Sequence, residues 1–204
     1  MKAEWLAVAI LLGSTVAAQA VQGGGIPPGS LNPGAAPSGY HKTNTPSDDP
    51  EGQAEQLRLS GRCDQAVPLY RQLSDRAGYE ISQYHLGECL LTLADAEHDA
   101  AHAADERKEA AKWILRAANA GFAAAEAAAV ALCLDGVGME KNPVEAEKWA
   151  LLYRHNSMRL AIGLPDIAPD VASRLDAALS ESQRAQAESS ADAWSPTNVT
   201  SADN

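Results

Sequence analysis

The chain lacks any cluster of lysine and arginine. Its 204 residues carry 16 Lys and Arg against 27 Asp and Glu, a formal charge of −11. Nucleic-acid binders gather basic side chains on one face to release counterions from phosphates. A chain this acidic does not seek phosphate backbones, and anionic membrane surfaces are excluded on the same ground. No apolar run after the first twenty residues reaches the roughly 18 residues that a membrane helix needs. Cysteine is sparse too: Cys63, Cys89 and Cys133 are far apart and no C-x-x-C occurs. That spacing excludes zinc-ribbon and thioredoxin-like chemistry. It leaves open one disulfide with a buried free thiol, or three buried thiols. No G-x-S-x-G elbow occurs, and Gly136-Val137-Gly138 has neither the preceding strand nor the further glycine that a phosphate loop wants. No enzyme, cofactor or nucleic-acid partner is expected from these absences.

What is present begins with an export pattern. Lys2 precedes the apolar run Leu6–Leu12, and Ala18-Gln19-Ala20 ends it as an A-x-A cleavage site. That order is a secretory signal peptide over 1–20, too short to span a bilayer. No cysteine follows it to carry a lipid, so the expectation is a periplasmic or secreted protein with no membrane partner after cleavage. Residues 21–50 are rich in Gly, Pro, Ser and Asn, with too few apolar side chains to offset the entropy of ordering, and are expected to be a disordered leader. Residues 195–204 are expected to be a disordered tail.

From Glu51 onward the texture changes to Ala, Leu, Glu, Gln and Arg, all strong helix formers. The pattern predicts helices near 52–60, 64–77, 80–97, 104–119, 122–134, 143–156 and 168–193, and no strand alternation. Asp64 reads as the cap of the second helix, and Asn142-Pro143 as a cap with proline at the first helical position. Gly78 and Gly121 read as residues that close helices. The fold class expected is all-α.

Self-similarity is the main signal. Glu109-Ala110-Ala111-Lys112-Trp113-Ile114-Leu115 recurs 36 residues later as Glu145-Ala146-Glu147-Lys148-Trp149-Ala150-Leu151. Ala and Trp at i, i+3 share a helix face, where the indole anchors the packing and the small Ala admits a neighbouring helix. A helix–turn–helix unit cannot bury its apolar face alone, so such units stack.

These residues resemble the Sel-one-like repeats, relatives of the tetratricopeptide repeats. The second copy, over 121–156, carries Gly121, Ala125, Glu126, Gly136, Val137, Gly138, Asn142, Ala146 and Trp149. The first, over 78–120, carries Gly78, Gln83, Leu86, Gly87, Ala110, Trp113, Ala117, Ala118 and Gly121. The first copy lacks the Gly-x-Gly-Val loop and is about seven residues longer, two helical turns, so its helices are expected to be extended. Residues 51–77 resemble a tetratricopeptide hairpin, and 168–193 a helix that closes such an array. The resemblance implies a short α/α solenoid of stacked antiparallel helix pairs, whose first helices line a groove for a protein or peptide partner. Mapped onto this chain, the groove candidates are Tyr84, His85, Glu88 and Asp135, with Ala124, Ala127, Ala128 and Ala131 forming a shallow apolar stretch.

One constellation stands apart. His98 and His102 fall at i, i+4 among Asp95, Glu97, Asp99 and Asp105, a spacing that places two imidazoles on one helix face. A metal-dependent binder or enzyme on this helix is the alternative function. A solvated acidic tip accounts for the same residues without a metal, and none is expected. His85 and Cys89, also i, i+4, read more simply as packed positions than as a catalytic pair.

Overall fold

The computed structural model describes residues 49–76 and 79–197. The expected signal peptide, the leader through residue 48, Gly78 and the tail from residue 198 lie outside them. Among the described residues the fold is all-α, with nine helices and no strand. The helices are α1 (Pro50–Leu59), α2 (Cys63–Ser74), α3 (Glu80–Ala96), α4 (Ala100–Asn119), α5 (Ala123–Asp135), α6 (Pro143–His155), α7 (Ser157–Ile162), α8 (Pro169–Ala178) and α9 (Glu181–Asp192). None is long and apolar enough to cross a membrane.

Local chemistry explains where these helices begin. Asp49 accepts the amide of Glu51 and is followed by Pro50 at the start of α1, so the leader gives way to helix two residues earlier than expected. Asn142 caps α6 by accepting the Glu145 amide, with Pro143 behind it, as expected. Asp64 does not cap α2. That helix starts one residue earlier at Cys63, the cap position is Arg62, whose side chain caps no amide, and Asp64 stands inside the first turn. The α4 helix starts at Ala100 instead of 104, because Asp99 accepts the amides of Ala101 and His102. Gly121 follows the end of α4 with φ +85, as a closing glycine should.

The helix expected over 168–193 is two helices. Leu179 is extended, and Ser180 forms a capping box with Gln183 that starts α9 afresh. The short α7 was not expected at all; Asn156 creates it by accepting the amides of Met158 and Arg159.

From α1 to α6 each helix packs on the next, and α9 then packs on α6. One core joins α1 to α4 around Tyr70, Leu86, Leu90, Ala110 and Trp113; a second joins α4 to α8 around Ile114, Val130, Trp149 and Leu175. Both copies of the Ala-x-x-Trp pattern point inward: Ala110 and Ala146 are fully buried, and Trp113 and Trp149 are buried beside them. Trp149 meets the edge of Trp194 with ring centres 6.2 Å apart. The chain after α9 continues this packing. Pro196 lies against Gly121, and the Thr197 amide donates to the Asn119 carbonyl at 2.8 Å, so residues 195–197 are placed where a disordered tail was expected. As expected, the helices of the first Trp-bearing pair are long, 17 and 20 residues in α3 and α4 against 13 in each of α5 and α6.

Two glycines are demanded by close approach. A Cβ on Gly87 would press into Ile114 and lie 3.0 Å from the Ala110 carbonyl, so α3 and α4 touch backbone to side chain there. Gly138 combines φ +69 with a seat against the Arg107 carbonyl of α4, which no side chain would fit. Cys63 of α2 and Cys89 of α3 form a disulfide with Cα atoms 5.0 Å apart, and Cys133 is a buried free thiol. Burial pushes that thiol up to about 12, so it stays protonated at neutral pH.

Two outcomes follow. Gly87→Ala should destabilise the protein by about 2 kcal/mol in urea unfolding, because overpacking at Ile114 outweighs the gain in helix propensity. The double replacement Cys63→Ala with Cys89→Ala should cost about 3 kcal/mol, since it frees a loop of 26 residues in the unfolded chain. A melting temperature insensitive to reductant would contradict the second expectation.

Candidate functional site

The expected groove residues Tyr84, His85 and Glu88 lie within four residues of one another on α3, so a single turn presents all three. The seat of that turn is fixed from both neighbouring helices. Ser82 donates to Glu51 of α1 at 3.2 Å, Gln83 donates to the Ser74 carbonyl of α2 at 3.0 Å, and Cys89 is bonded to Cys63.

Around this turn the side chains form one polar network. Glu88 accepts the Tyr84 hydroxyl at 2.8 Å and meets His85 Nδ1 at 2.8 Å. Arg58 of α1 reaches Glu88 at 3.6 Å and forks onto Glu55 at 2.8 and 2.6 Å. Glu55 also accepts the Tyr70 hydroxyl of α2 at 2.9 Å, and His85 Nε2 stands 3.8 Å from it. The rings continue the cluster: Tyr84 to His85 at 5.4 Å, Tyr70 to His85 at 5.9 Å, and Tyr84 to Phe122 at 5.5 Å. Phe122 stands just before α5, so the network reaches from α1 to the second Trp-bearing pair.

Two carboxylates, one guanidinium and one imidazole are thus held in place while keeping an open side. His85 is 18% exposed, Arg58 23%, and Glu55 and Glu88 more than a third. The Arg58 bond, against the opposing cost of burial, holds the Glu55 carboxyl down at about 2. Burial and the Glu88 carboxylate push the Tyr84 hydroxyl well above the usual tyrosine range, and burial with Glu55 does the same at Tyr70. Both phenols therefore stay protonated and act as donors. The arrangement can recognise polar groups through fixed carboxylates, phenol donors and an imidazole. Cys89, the only thiol near His85 in sequence, is consumed by the disulfide.

Asp135 does not join this network. It ends α5 and forms an ion pair with Arg174 of α8, tying those two helices together. Of the alanines expected beside the groove, Ala131 is exposed and Ala124, Ala127 and Ala128 are half-buried, so that face of α5 is partly open. Sequence reasoning missed Glu55, Arg58, Tyr70 and Phe122. The i, i+3 pair Glu55–Arg58 was visible as a helix-surface pair, but not that its helix lies against Glu88.

The His98–His102 constellation serves the start of α4. Glu97 accepts the amides of His98 and Asp99 at 2.7 and 2.9 Å and meets His102 Nδ1 at 2.9 Å. Those backbone donors hold the Glu97 carboxyl at about 2, and the Glu97 bond raises His102 above the ordinary histidine value. Among the described residues no three His, Cys, Asp or Glu side chains are placed to hold a metal ion. Comparison of the chain with protein-family models, with curated proteins and with solved structures returned no match.

The pH dependence of the network follows from Glu55. Its folded value lies below its ordinary 4.5, so its stabilising contribution is complete above pH 4.5 and is lost as pH falls toward 2. Unfolding free energy measured between pH 6 and 2 should therefore fall less steeply in Glu55→Gln than in the parent. Parallel curves would exclude the Glu55–Arg58–Tyr70 network as a source of acid sensitivity.

Proposed function

We propose that this chain is an exported protein–protein interaction scaffold of the Sel-one-like repeat kind. In this reading the helix pairs α1–α2, α3–α4 and α5–α6 are successive units of a short α/α solenoid, and α8 and α9 close it. The first helices α1, α3 and α5 form the surface that grips a protein or peptide segment. The observation that carries the reading is the partly open network on Tyr84, His85 and Glu88, linked through Phe122 to the small-residue face of α5. Fixed phenol, imidazole and carboxylate groups beside a shallow alanine surface suit a segment with small side chains and a polar anchor. The occurrence of the Ala-x-x-Trp pattern at equivalent buried positions of α4 and α6 supports the repeat reading.

Export is part of the same proposal. The Cys63–Cys89 disulfide is the kind of bond an oxidising compartment maintains, and it supports the signal-peptide reading of residues 1–20. A network whose carboxylates are engaged by Arg58, Tyr70, Tyr84 and His85 within the fold supports a binding role over a catalytic one.

Pull-down with the chain from a periplasmic or secreted fraction, followed by mass spectrometry, should recover a partner that Tyr84→Ala and Glu88→Lys lose. Circular dichroism must show both variants folded. A partner retained by both would move the binding surface off α3.

A further inference from the structure

Large apolar side chains left in water are unevenly placed on this fold. Among the described residues they are Leu59 of α1, Ile81 of α3, and Met158, Leu160 and Ile162 of α7; α2, α4 and α6 have none. Leu59 is 72% exposed and Ile81 50%, so neither belongs to a core. Single exposed apolar residues are ordinary, but these two flank one site. Glu51 meets Ser82, Glu55 faces His85 and Arg58 reaches Glu88, so α1 and α3 run side by side in the same direction. On α3, Ile81 comes one helical turn before His85 and two before Glu88, on the same face. On α1, Leu59 comes one turn after Glu55 and next to Arg58. The polar network therefore has an exposed apolar side chain at each end.

Charge is divided as unevenly. Helices α1, α3 and α5 carry seven carboxylates and one lysine or arginine, Arg58. Helices α2, α4 and α6 carry six carboxylates and seven lysines and arginines. Of the first seven carboxylates, Glu126 is buried, and Asp95 and Asp135 are paired with Arg107 and Arg174. Glu51, Glu55, Glu80 and Glu88 remain on α1 and α3, with Arg58 held between Glu55 and Glu88. Arg62 and Arg76 lie in the turns that follow α1 and α2. The face of α1 and α3 is thus apolar at its two ends and carries an excess of negative charge. Its complement is apolar at both ends and positive between them.

Resting on the scaffold reading above, we propose that the partner segment is cationic and amphipathic. A lysine or arginine of the partner stands over Glu55 and Glu88, and apolar residues about one helical turn to either side cover Ile81 and Leu59. Unlike charge steers the approach, and covering the two apolar ends supplies affinity. A segment with a carboxylate at the central position meets like charge and is rejected.

Panning a phage-displayed library of short random peptides on the full chain tests this. Enriched peptides should carry a lysine or arginine with apolar residues three or four positions to either side. A synthetic copy should bind about tenfold more weakly when its basic residue is replaced by glutamine, and again when Ile81→Ser and Leu59→Ser are introduced together into the chain. Both side chains are exposed, so this variant should keep its helix content, which circular dichroism checks. Should it not, the glutamine peptide carries the comparison on the parent chain. Enriched peptides that the double variant or Tyr84→Ala releases, but that have no basic residue or do not need it, overturn the proposal and leave the scaffold reading standing. Peptides bound equally by the parent, the double variant and Tyr84→Ala, or no enrichment at all, overturn both.

Discussion

At Gly87 the backbone of α3 lies so close to α4 that one added carbon would meet Ile114 and the Ala110 carbonyl. That contact sets the seat of α3, and much of the molecule is arranged around it. On one side, α3 is tied to α1 and α2 by the Ser82 and Gln83 hydrogen bonds and by the Cys63–Cys89 disulfide. On the other, it rests on the alanine-rich face of α4. Because helices this close leave little room to slide, Tyr84, His85 and Glu88 keep their positions relative to Arg58 and Tyr70. Packing between small residues thus positions the candidate surface on α3.

A chain so rich in alanine buries modest apolar area per side chain, and the two tryptophans compensate for it. Trp113 and Trp149 each fill a core that the neighbouring alanines leave wide enough for an indole. The second core is closed late in the chain, by Leu175 of α8 and by Trp194 against Trp149. Asn156 adds a polar tie: its amide donates to Gly121 and to Glu126, a buried carboxyl that burial raises above its ordinary value, while its carbonyl caps α7. One side chain thereby joins the turn before α5 to the helix after α6.

The extension of the first pair shows how position along a helix decides what an acidic side chain does. Glu97 and Asp99 spend their carboxylates on the amides at the start of α4, where the helix dipole favours negative charge. Two turns further on, Glu106 binds no amide and acts through space on His102 and Arg71. The difference lies in distance from the free amides of the helix terminus, since beyond the first turn every amide is already bonded within the helix.

The helical class, six of the nine helices to within a few residues, the caps at Asn142 and Gly121, and the extended first pair were all legible in sequence, because propensity, capping and periodicity are local. The break at Ser180 was legible too, in the Ser-x-x-Gln capping box, yet a continuous run of helix formers obscured it. Tyr84, His85 and Glu88 could be singled out as polar residues on a helix expected to pack through Leu and Ala. Their partners could not: Arg58, Tyr70 and Phe122 come from other helices, and only packing decides which faces meet. The pairing of Cys63 with Cys89 and the placing of Asp135 on Arg174 were settled the same way. The hollow lined by Asp64 of α2 and by Asp105, Glu106 and Glu109 of α4 also belongs to the tertiary structure, since those carboxylates are at least 41 residues apart in sequence. Sequence determined where helices start and which residues they bury; the close approach of α3 to its neighbours decided which polar groups meet.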